Sequence, residues 1–503
     1  MSRLIFAVIC LLFCQIVTAQ ICGTPQGPLL ERIESNKNPT WFVPRNVLRY
    51  IPITFHLVAD SDGDGRVQEE NVFLQLDNLN AQFADQQAIF YIDRLNYINN
   101  TAVYETPSSS AAIVQMRLRK DNNSMNIFIT NSAEHGSEGP GITLAYYEPA
   151  EDWIVSRRNE INAFTRTVAH EIGHFFDLPH TFFGWECKPY TDEDYGNPVN
   201  VDFTLPCESG GGSVLIELQN GSNCNTAADK ICDTPPDYNI GYLHQPNSCA
   251  PNTTVKDKNG QVITPITNNY MSYYSNCGSW VFTPTQKNIM NNDFFSPQRN
   301  YLRTGYIPNL DSVEAPVTYI TPINGETTPN FTNILLDWED TPGATHYMVL
   351  VDRFPMFTNN PQKYFVTESE LIIQELPENV VFYWKVWPYN ESQTGAGYSP
   401  TQTFKVGMGT GVNEIEEIND YVLSPNPAEG NNQTWLTLSS NESFEAELKI
   451  SDAAGHVFSE KHLTVPSGTS LHALDTQNMP AGIYFIMMHS KSGVFVERLL
   501  ITN

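Results

Sequence analysis

Apolar and polar positions change their periodicity several times along the first 180 residues. Residues 50–60 are mostly apolar and predict a strand, whereas the apolar positions of residues 69–83 recur every three or four residues and predict an amphipathic helix. A second helix is predicted over residues 165–176. Shorter strand-like runs cover residues 88–92, 112–117 and 125–130. Strands and helices therefore share this part of the chain.

Residues 181–269 show no such periodicity and are rich in Gly, Asn, Pro and Cys. Order in so long a stretch comes from disulfides or metal ions rather than from regular secondary structure. Six cysteines lie in or near it, and an oxidising exterior favours their pairing: Cys187, Cys207, Cys224, Cys232, Cys249 and Cys277. The sequence does not choose among the possible pairings. Of the other three cysteines in the sequence, Cys10 and Cys14 lie within the first 19 residues, and Cys22 is the odd one of the rest.

Past residue 304 the pattern becomes strand-like throughout. Residues 314–407 contain short alternating strands, turn signals and no cysteine, which predicts a β-sandwich. The segment is similar to a fibronectin type III domain at five positions, namely Trp338, Tyr347, Phe382, Trp384 and Val386. We expect this domain to act as a spacer. A Gly-rich, acidic linker follows over residues 408–418.

The last segment, residues 419–503, resembles the C-terminal sorting domain of bacterial type IX secretion substrates. The resemblance rests on the order of three turn motifs: Ser424-Pro425-Asn426-Pro427, Asp452-Ala453-Ala454-Gly455 and Pro480-Ala481-Gly482-Ile483-Tyr484. Each motif alone is an ordinary turn, so an ordinary β-sandwich is the alternative. The resemblance implies the type IX secretion machinery as a partner.

The composition excludes several classes of function. The chain has 503 residues with 28 Lys and Arg against 56 Asp and Glu, a formal net charge of −28. So acidic a protein lacks the clustered cations that bind nucleic-acid phosphates or anionic membrane surfaces. Because 41% of residues are hydrophobic and only 17% are charged, the domains are globular rather than disordered.

The first 19 residues have the pattern of a secretory signal peptide. Arg3 supplies the positive start, an apolar stretch follows, and Val17-Thr18-Ala19 supplies a small-residue cleavage site. The stretch is too short for a typical transmembrane helix, although a membrane anchor is the alternative, and no later stretch is apolar enough to span a bilayer. We therefore expect a secreted or cell-surface protein whose mature chain starts near Gln20.

Three histidines and a glutamate lie at metal-site spacing in one short segment. On a helix, His170 and His174 are one turn apart, so both imidazoles can reach one ion. Pro179 cannot continue the helix, and the chain turns back to deliver His180 as a third ligand. Glu171 lies beside the ligands, where it can hold a water molecule. Three protein ligands leave one position open, the arrangement of a catalytic zinc site.

The segment 170–180 is similar to the zinc motif of the metzincin peptidases, H-E-x-x-H-x-x-G-x-x-H, which a Met-turn follows. Four further motifs favour the pappalysin/cytophagalysin branch: Cys232-Asp233-Thr234-Pro235, Asn269-Tyr270-Met271-Ser272-Tyr273, Cys277 and Phe282-Thr283-Pro284-x-Gln286. Asp177 departs from the motif, which has Gly at this turn. Asp tolerates left-handed backbone conformations, so we expect slight strain and an intact site.

The resemblance implies an α+β metzincin-like catalytic domain over residues 46–305, followed by the two all-β sandwich domains. This domain would have a mixed twisted sheet, an active-site helix and a loop-rich, disulfide-bonded lower part. Met271 would form the apolar floor beneath the zinc, and Tyr273 would stabilise the oxyanion of the transition state, with aromatic packing as its alternative role. Residues 141–146 would form an edge strand that pairs with extended substrate.

The same resemblance implies calcium in the loop that carries Asp229 and Asp233. A second acidic motif, Asp60-x-Asp62-x-Asp64-Gly65, matches the start of an EF-hand loop, but its twelfth position is Asn71 rather than Glu. We interpret that motif as a polar turn.

These features predict a secreted zinc endopeptidase that cleaves extracellular proteins or peptides, with Glu171 as general base. The alternative is a cell-surface adhesin or binding protein with a vestigial metal site, which would have no need of Glu171. Residues 20–45 would form a short pro-segment in which the Cys22 thiolate binds zinc and keeps the zymogen latent. A disulfide elsewhere is the other role for Cys22. Cleavage at Arg32 or Arg45 would open the site.

Overall fold

The computed structural model describes most of the chain beyond the predicted signal peptide. The described residues are 20–44, 46–134, 142–186, 199–200, 204–207, 212–243, 248–251, 254–313, 316–358, 360–407, 415, 417–429, 433–476 and 479–502. Residues 1–19, Arg45, Gly141, Cys187 and most of the predicted linker lie outside them.

Helices occur in the first 300 residues, and strands occur throughout. The helices are α1 (Gly27–Lys37), α2 (Glu69–Gln82), α3 (Thr101–Glu105), α4 (Ser110–Arg117), α5 (Thr167–Phe175), α6 (Ile240–Leu243) and α7 (Pro284–Phe294). The first ten strands are β1 (Gln20–Cys22), β2 (Arg49–Ala59), β3 (Ala88–Asn99), β4 (Met125–Thr130), β5 (Ile142–Glu148), β6 (Trp153–Arg157), β7 (Val199–Asn200), β8 (Thr204–Cys207), β9 (Gly212–Leu215) and β10 (Val255–Lys256).

The later strands belong to the two β-sandwiches. Those of the first are β11 (Tyr319–Thr321), β12 (Glu326–Thr327), β13 (Thr332–Trp338), β14 (His346–Asp352), β15 (Gln362–Val366), β16 (Glu370–Glu375), β17 (Val381–Tyr389) and β18 (Gln402–Lys405). Those of the second are β19 (Ile418–Ser424), β20 (Ala428–Glu429), β21 (Thr434–Ser440), β22 (Phe444–Asp452), β23 (Val457–Val465), β24 (Gly468–Leu474), β25 (Gly482–Ser490) and β26 (Val494–Thr502).

A six-stranded mixed sheet organises the N-terminal part of the molecule. Its order is β1-β5-β6-β4-β2-β3, and β5–β6 is the antiparallel pair in it. Side chains of β2 alternate between two apolar layers, because successive residues of a strand point to opposite faces. Phe55 packs with α2, α5 and α7, whereas Val58 packs with α3 and α4. The sheet is thus covered on both faces, and β1 forms its edge beside β5.

Most of the elements predicted in this region are confirmed, and one is wrong. β2, α2, β4 and α5 begin and end within a few residues of the predicted bounds, and β3 extends beyond its predicted end. Residues 112–117, predicted as a strand, belong to helix α4. Ser109 accepts a hydrogen bond from the Ala112 N–H at 3.3 Å, and the buried Ala112 and Met116 are four residues apart. An N-cap and a spacing of four favour a helix over a strand.

The loop-rich region after α5 is held by disulfides and by its own apolar cluster. The described part of the chain contains the disulfides Cys224–Cys232 and Cys249–Cys277, which confirms that four of the predicted cysteines pair. Cys22 forms no disulfide with a cysteine in the described part of the chain. The apolar cluster is formed around Phe182, Trp185, Tyr238 and Tyr274.

Each of the two β-sandwiches pairs a three-stranded sheet with a five-stranded one. The orders are β11-β13-β16 and β12-β18-β17-β14-β15 in the first, and β19-β21-β24 and β20-β26-β25-β22-β23 in the second. Each has a separate apolar core, with Trp338 and Trp384 in the first and Leu448 and Ile486 in the second. The two predicted all-β domains are therefore confirmed, and the described chain as a whole is rich in strands with few helices.

The first sandwich packs directly on α2 of the N-terminal part. Phe73 of α2 lies in an apolar cluster with Met348, Trp387 and Tyr389 of the sandwich, and its ring centroid is 4.5 Å from that of Tyr389. The hydroxyl of Thr394 donates to the Phe73 carbonyl at 2.8 Å. The domain expected to act as a spacer is therefore docked on the N-terminal part through a buried interface.

Candidate metal centre

Helix α5 and the turn after it bring three imidazoles together. His170 and His174 are four residues apart on α5, and their Nε2 atoms lie 3.1 Å from each other. After the helix ends, Asp177 adopts a left-handed conformation with φ of 65°. The chain then returns His180, whose Nε2 lies 3.2 Å from that of His174. The structure thus brings together all three histidines predicted as ligands.

The other ring nitrogen of each histidine faces an acceptor. The Nδ1 atoms of His170 and His174 lie 2.6 Å and 2.7 Å from the carbonyl oxygens of Tyr270 and Leu178. A carbonyl only accepts, so each Nδ1 must carry the proton and each Nε2 a lone pair. Both Nε2 lone pairs therefore point into the space between the rings.

This space fits a zinc ion. Tetrahedral zinc with bonds of about 2.0–2.1 Å to nitrogen separates its ligands by roughly 3.3 Å, close to the two Nε2 distances. Burial lowers the pKa of His170 and His174 well below the usual value and that of His180 to about 3, so protons do not fill the space. Converging lone pairs at this distance repel one another unless a cation lies between them.

Cys22 completes the set of ligand-type atoms. Its Sγ and one ring nitrogen of each histidine all lie within 4.8 Å of one another. Burial, followed by the charge of Glu171, raises the pKa of the Cys22 thiol, so a thiolate at this position needs a cation for compensation. Cys22 comes from β1, which pairs in parallel with β5 and places Cys22 beside Ala145. The edge of β5, the strand predicted to pair with substrate, is therefore paired with β1 of the protein's own N-terminal segment.

Glu171 lies next to the histidines and contacts the N-terminal segment. Its Oε2 accepts a hydrogen bond from the Thr24 hydroxyl at 2.9 Å and lies 3.5 Å from the Cys22 Sγ. Burial raises the pKa of Glu171 to about 7. The Thr24 hydroxyl also accepts from the Tyr147 N–H at 2.8 Å, which fixes its position. Sequence reasoning missed Thr24, because nothing in a lone Thr indicates such a contact.

Met271 is fully buried and lies against α5 at Gly173, the residue before His174. A Cβ placed on Gly173 would lie 2.4 Å from the Met271 Sδ, so α5 and the Met-containing turn are in close contact at this glycine. The Met271 carbonyl accepts from the Thr181 N–H at 3.2 Å, which ties this turn to the segment just beyond His180.

Tyr273 reaches the same space from the loop beyond Met271. Its hydroxyl accepts a hydrogen bond from the Cys22 N–H at 2.7 Å, and its ring lies 5.0 Å from that of His180 between centroids. The hydroxyl therefore points to the metal centre rather than into the apolar core. Burial raises the pKa of Tyr273 well above its usual value, so the phenol remains a donor.

Asp177 binds the N-terminal segment through its side chain. The Asp177 carboxylate accepts from Arg32 Nε at 2.7 Å and from Asn36 Nδ2 at 2.8 Å, and Arg32 also pairs with it through its guanidinium Nη2. The turn predicted as slightly strained does have positive φ, which Asp tolerates. Sequence reasoning did not anticipate that the departure from Gly supplies a partner for α1.

Asp229 lies in the loop closed by the Cys224–Cys232 disulfide, and Asp233 directly follows Cys232 outside that loop. The Asp229 carboxylate accepts from the Ile231 N–H at 2.9 Å and the Thr234 hydroxyl at 2.8 Å. Asp233 instead accepts from the Thr283 hydroxyl and the Thr285 N–H at the start of α7. Burial, followed by the charge of Asp229, raises the pKa of the nearby Glu217 to about 9.

The Asp60 motif forms a turn. The Asp60 Oδ1 accepts from the backbone N–H groups of Asp62 and Asp64 at 3.0 Å and 2.9 Å. These contacts are those of a polar turn, as interpreted from the sequence.

Comparisons with known proteins identify the C-terminal part. Residues 423–502 match the family described as "Secretion system C-terminal sorting domain". The match confirms the predicted type IX sorting domain and marks the protein as extracellular, either secreted or attached to the cell surface. In the described part of the chain, no helix has both the length and the apolar character needed to cross a membrane.

The other comparisons do not bear on the metal centre. A search of curated proteins finds no match. Among solved structures, the chain is similar to "Crystal structure of chicken CNTN1 FN1-FN3 domains", with 12% sequence identity and a TM-score of 0.18. The match covers 38% of this chain and 66%, just under two thirds, of that one. So low a score carries no argument about fold or function.

Proposed function

We propose that the protein is a secreted zinc-dependent endopeptidase of the metzincin type, similar to the pappalysin/cytophagalysin branch. The observation that carries the proposal is the convergence of three histidine Nε2 atoms on one buried point, with the Glu171 carboxylate beside it. The Nε2 atoms of His170, His174 and His180 would hold zinc, with one position left for water or substrate.

Each group near the proposed zinc ligands would have a role in peptide hydrolysis. Bound zinc would lower the pKa of its water and polarise the scissile carbonyl. Glu171 would take the proton of the attacking water and pass it to the leaving amine. The Tyr273 hydroxyl would donate a hydrogen bond to the developing oxyanion, and Met271 would support the histidines from below.

Substrate would bind along β5 as an added strand. The pairing of β1 with β5 supports this proposal, because β1 already lies as an added strand along the edge of β5 next to the metal centre. Proteins or peptides in an extended conformation are therefore the proposed substrates.

The N-terminal segment would keep this site closed until it is removed. Cys22 would supply a thiolate as fourth zinc ligand, and its place among the histidines supports that role. Because the thiolate and the catalytic water compete for one position, the precursor would be latent.

Calcium is proposed as a structural ion near Asp229. A carboxylate oxygen of Glu217, its Oε2, is buried without a hydrogen-bond partner, and its charge interacts with that of Asp229. An unpaired buried carboxylate is costly unless a cation compensates it.

The alternative is an adhesin or binding protein with a vestigial metal site. Such a protein could keep the histidines to order its loops, but it would not need a carboxylate at the position of Glu171. Substitution of Glu171 therefore distinguishes a peptidase from a binding protein.

The test compares the wild type with Glu171→Ala and Glu171→Gln after the N-terminal segment has been cut by limited proteolysis and separated from the rest of the protein. We expect about one zinc per chain in all three proteins, and a loss of peptide hydrolysis of at least roughly 100-fold in both variants, because general base catalysis contributes about that much or more. Metal analysis and cleavage of a peptide library, with and without a chelator, provide the measurements. Hydrolysis near the wild-type rate in the variants would exclude Glu171 as the base, and a wild type without zinc or hydrolysis would favour the binding protein.

A further inference from the structure

The third histidine differs from the other two in the partner of its Nδ1 atom. Two imidazoles donate to backbone carbonyls, whereas the Nδ1 of His180 lies 2.8 Å from the Glu186 Oε1. A carboxylate is a stronger acceptor than a carbonyl, because its hydrogen bond is charge-assisted. Glu186 was not among the residues singled out from the sequence, since a Glu six positions after a histidine carries no recognisable signal.

A tight turn places Glu186 against His180. Gly184, with φ of 100°, lies in a conformation that side-chain-bearing residues rarely adopt, and its N–H donates to the Glu186 Oε2 at 2.7 Å. A Cβ on Gly184 would lie 2.7 Å from the Val214 Cγ1, so space as well as conformation requires glycine there. Both carboxylate oxygens of Glu186 are therefore engaged within the turn.

Aromatic packing fixes both ends of this turn. The Phe182 ring stacks on that of His180 with centroids 4.5 Å apart and an interplanar angle of 14°. Trp185, next to Glu186, is almost fully buried and stacks on Tyr238 at 4.8 Å. Stacked rings of this kind stabilise the turn and so favour the position of the Glu186 carboxylate beside His180.

We propose that Glu186 is a positioning residue that fixes the tautomer and the orientation of His180 and strengthens this histidine as a metal ligand. The inference rests on the proposed metal site and adds a residue that acts on it through a ligand. A carboxylate on the outer nitrogen holds the imidazole with its lone pair on Nε2 and makes that nitrogen more basic.

His180 needs such a partner more than the other two histidines do. His170 and His174 are held by α5, which presents both on one side. His180 lies beyond the end of that helix, so helix geometry does not orient its ring, and the side-chain partner of the ring is Glu186. Loss of the carboxylate should therefore affect metal retention more than it affects the fold.

The experiment measures zinc retention in the full chain from residue 20 onward. Wild type, Glu186→Ala, Glu186→Gln and the control Glu160→Gln are loaded with zinc, and transfer of zinc to a competing chelator is followed. Glu160 is a suitable control because it lies just before α5 and accepts from Thr167 Oγ1 without touching a histidine. The melting temperatures of the metal-free and zinc-loaded forms are measured on the same samples.

We expect zinc affinity to fall by about 10- to 100-fold in Glu186→Ala, as is typical for loss of a partner of a metal-bound histidine. Glu186→Gln keeps one acceptor and should lie between Glu186→Ala and the wild type, whereas Glu160→Gln should match the wild type. The metal-free melting temperature should change little, and the increase on zinc binding should shrink.

Three outcomes would decide against the inference or against its basis. Zinc retention in Glu186→Ala and Glu186→Gln equal to that of the control would overturn the role of Glu186 while leaving the proposed peptidase intact. A fall in the metal-free melting temperature of Glu186→Gln with unchanged zinc affinity would show a purely structural role. If the wild type binds no zinc, the proposed function itself fails.

Discussion

Two neighbouring residues of the N-terminal segment contact two different parts of the proposed catalytic machinery. The Cys22 Sγ lies among the histidine nitrogens, while the Thr24 hydroxyl donates to Glu171. Cys22 would occupy the open position on the metal. Thr24 would form a hydrogen bond with the Glu171 carboxylate, which would otherwise hold the water. Latency would therefore depend on two contacts, and loss of the first would leave the second in place.

Cys22→Ala should give a precursor that hydrolyses peptide or processes itself with a shorter lag than the wild type, because the metal position becomes available whenever β1 separates from β5. Adding Thr24→Val should raise this activity further, by about 10- to 100-fold, since a hydrogen bond to a charged group contributes roughly 1.5–3 kcal/mol. Initial rates of peptide cleavage by the uncleaved precursors provide the measurement. If Cys22→Ala is as silent as the wild type, or if Cys22 is found in a disulfide, zinc binding by Cys22 is not the basis of latency.

At the scale of elements, α1 behaves as part of the core rather than as a loose peptide. Leu29 and Ile33 are fully buried in the cluster that also contains α5 and α7. Each such side chain contributes about 1.5–3 kcal/mol on burial. The polar side of α1 adds the contacts of Arg32 and Asn36 with Asp177. Cleavage of the chain after the N-terminal segment would therefore not by itself release that segment from the rest of the protein.

A synthetic peptide of residues 20–44 should bind to the protein from which this segment has been removed. Arg32→Gln in the peptide should weaken binding by roughly 10-fold or more, because it leaves the buried Asp177 without its cation. Glu31→Gln is the matched control, since Glu31 is an exposed neighbour on the same helix. Calorimetric titration measures both affinities. Equal binding of the Arg32→Gln and Glu31→Gln peptides would show that Asp177 does not anchor the segment.

The contrast between α4 and α5 shows what the sequence can and cannot predict about the elements. The histidine spacing of α5 predicts both a helix and a cluster of imidazoles, so the helix and the convergence of the three histidines could be predicted together. The short α4 run fits either periodicity, and its Ser109 cap is decisive only once the backbone is known. The contacts of Thr24, Arg32 and Glu186 were not predictable, because they depend on how distant segments or a tight turn meet in space.

At the scale of the whole molecule, α2 packs against two domains. One side contributes Leu76 and Leu79 to the core around the metal-site helix, while Phe73 lies among aromatic residues of the first sandwich. Lys363 of the sandwich pairs with Glu69 and Glu70 at the start of the same helix. The N-terminal part and the first sandwich should therefore unfold as one cooperative unit.

Phe73→Ala should separate this unit into two thermal transitions and lower the first of them. Truncation of a buried aromatic side chain costs about 3–5 kcal/mol, and here the cost falls on the interface. Phe164→Ala is the control with the same chemical change, because Phe164 is 93% exposed. Differential scanning calorimetry distinguishes one transition from two. A single transition in Phe73→Ala, at the temperature of the control, would mean that the two parts are not coupled through α2.

The pairing of Cys22 with the Tyr273 hydroxyl joins positions 251 residues apart, and this separation has a consequence for the order of events during synthesis. Domains fold from the N-terminus as the chain emerges, so the contacts around Cys22 can form once the region up to α7 is complete. The sorting domain at 423–502 is made afterwards. The contacts around Cys22 therefore do not need the sorting domain, and the N-terminal segment would already cover the candidate metal centre when the sorting domain is used for export.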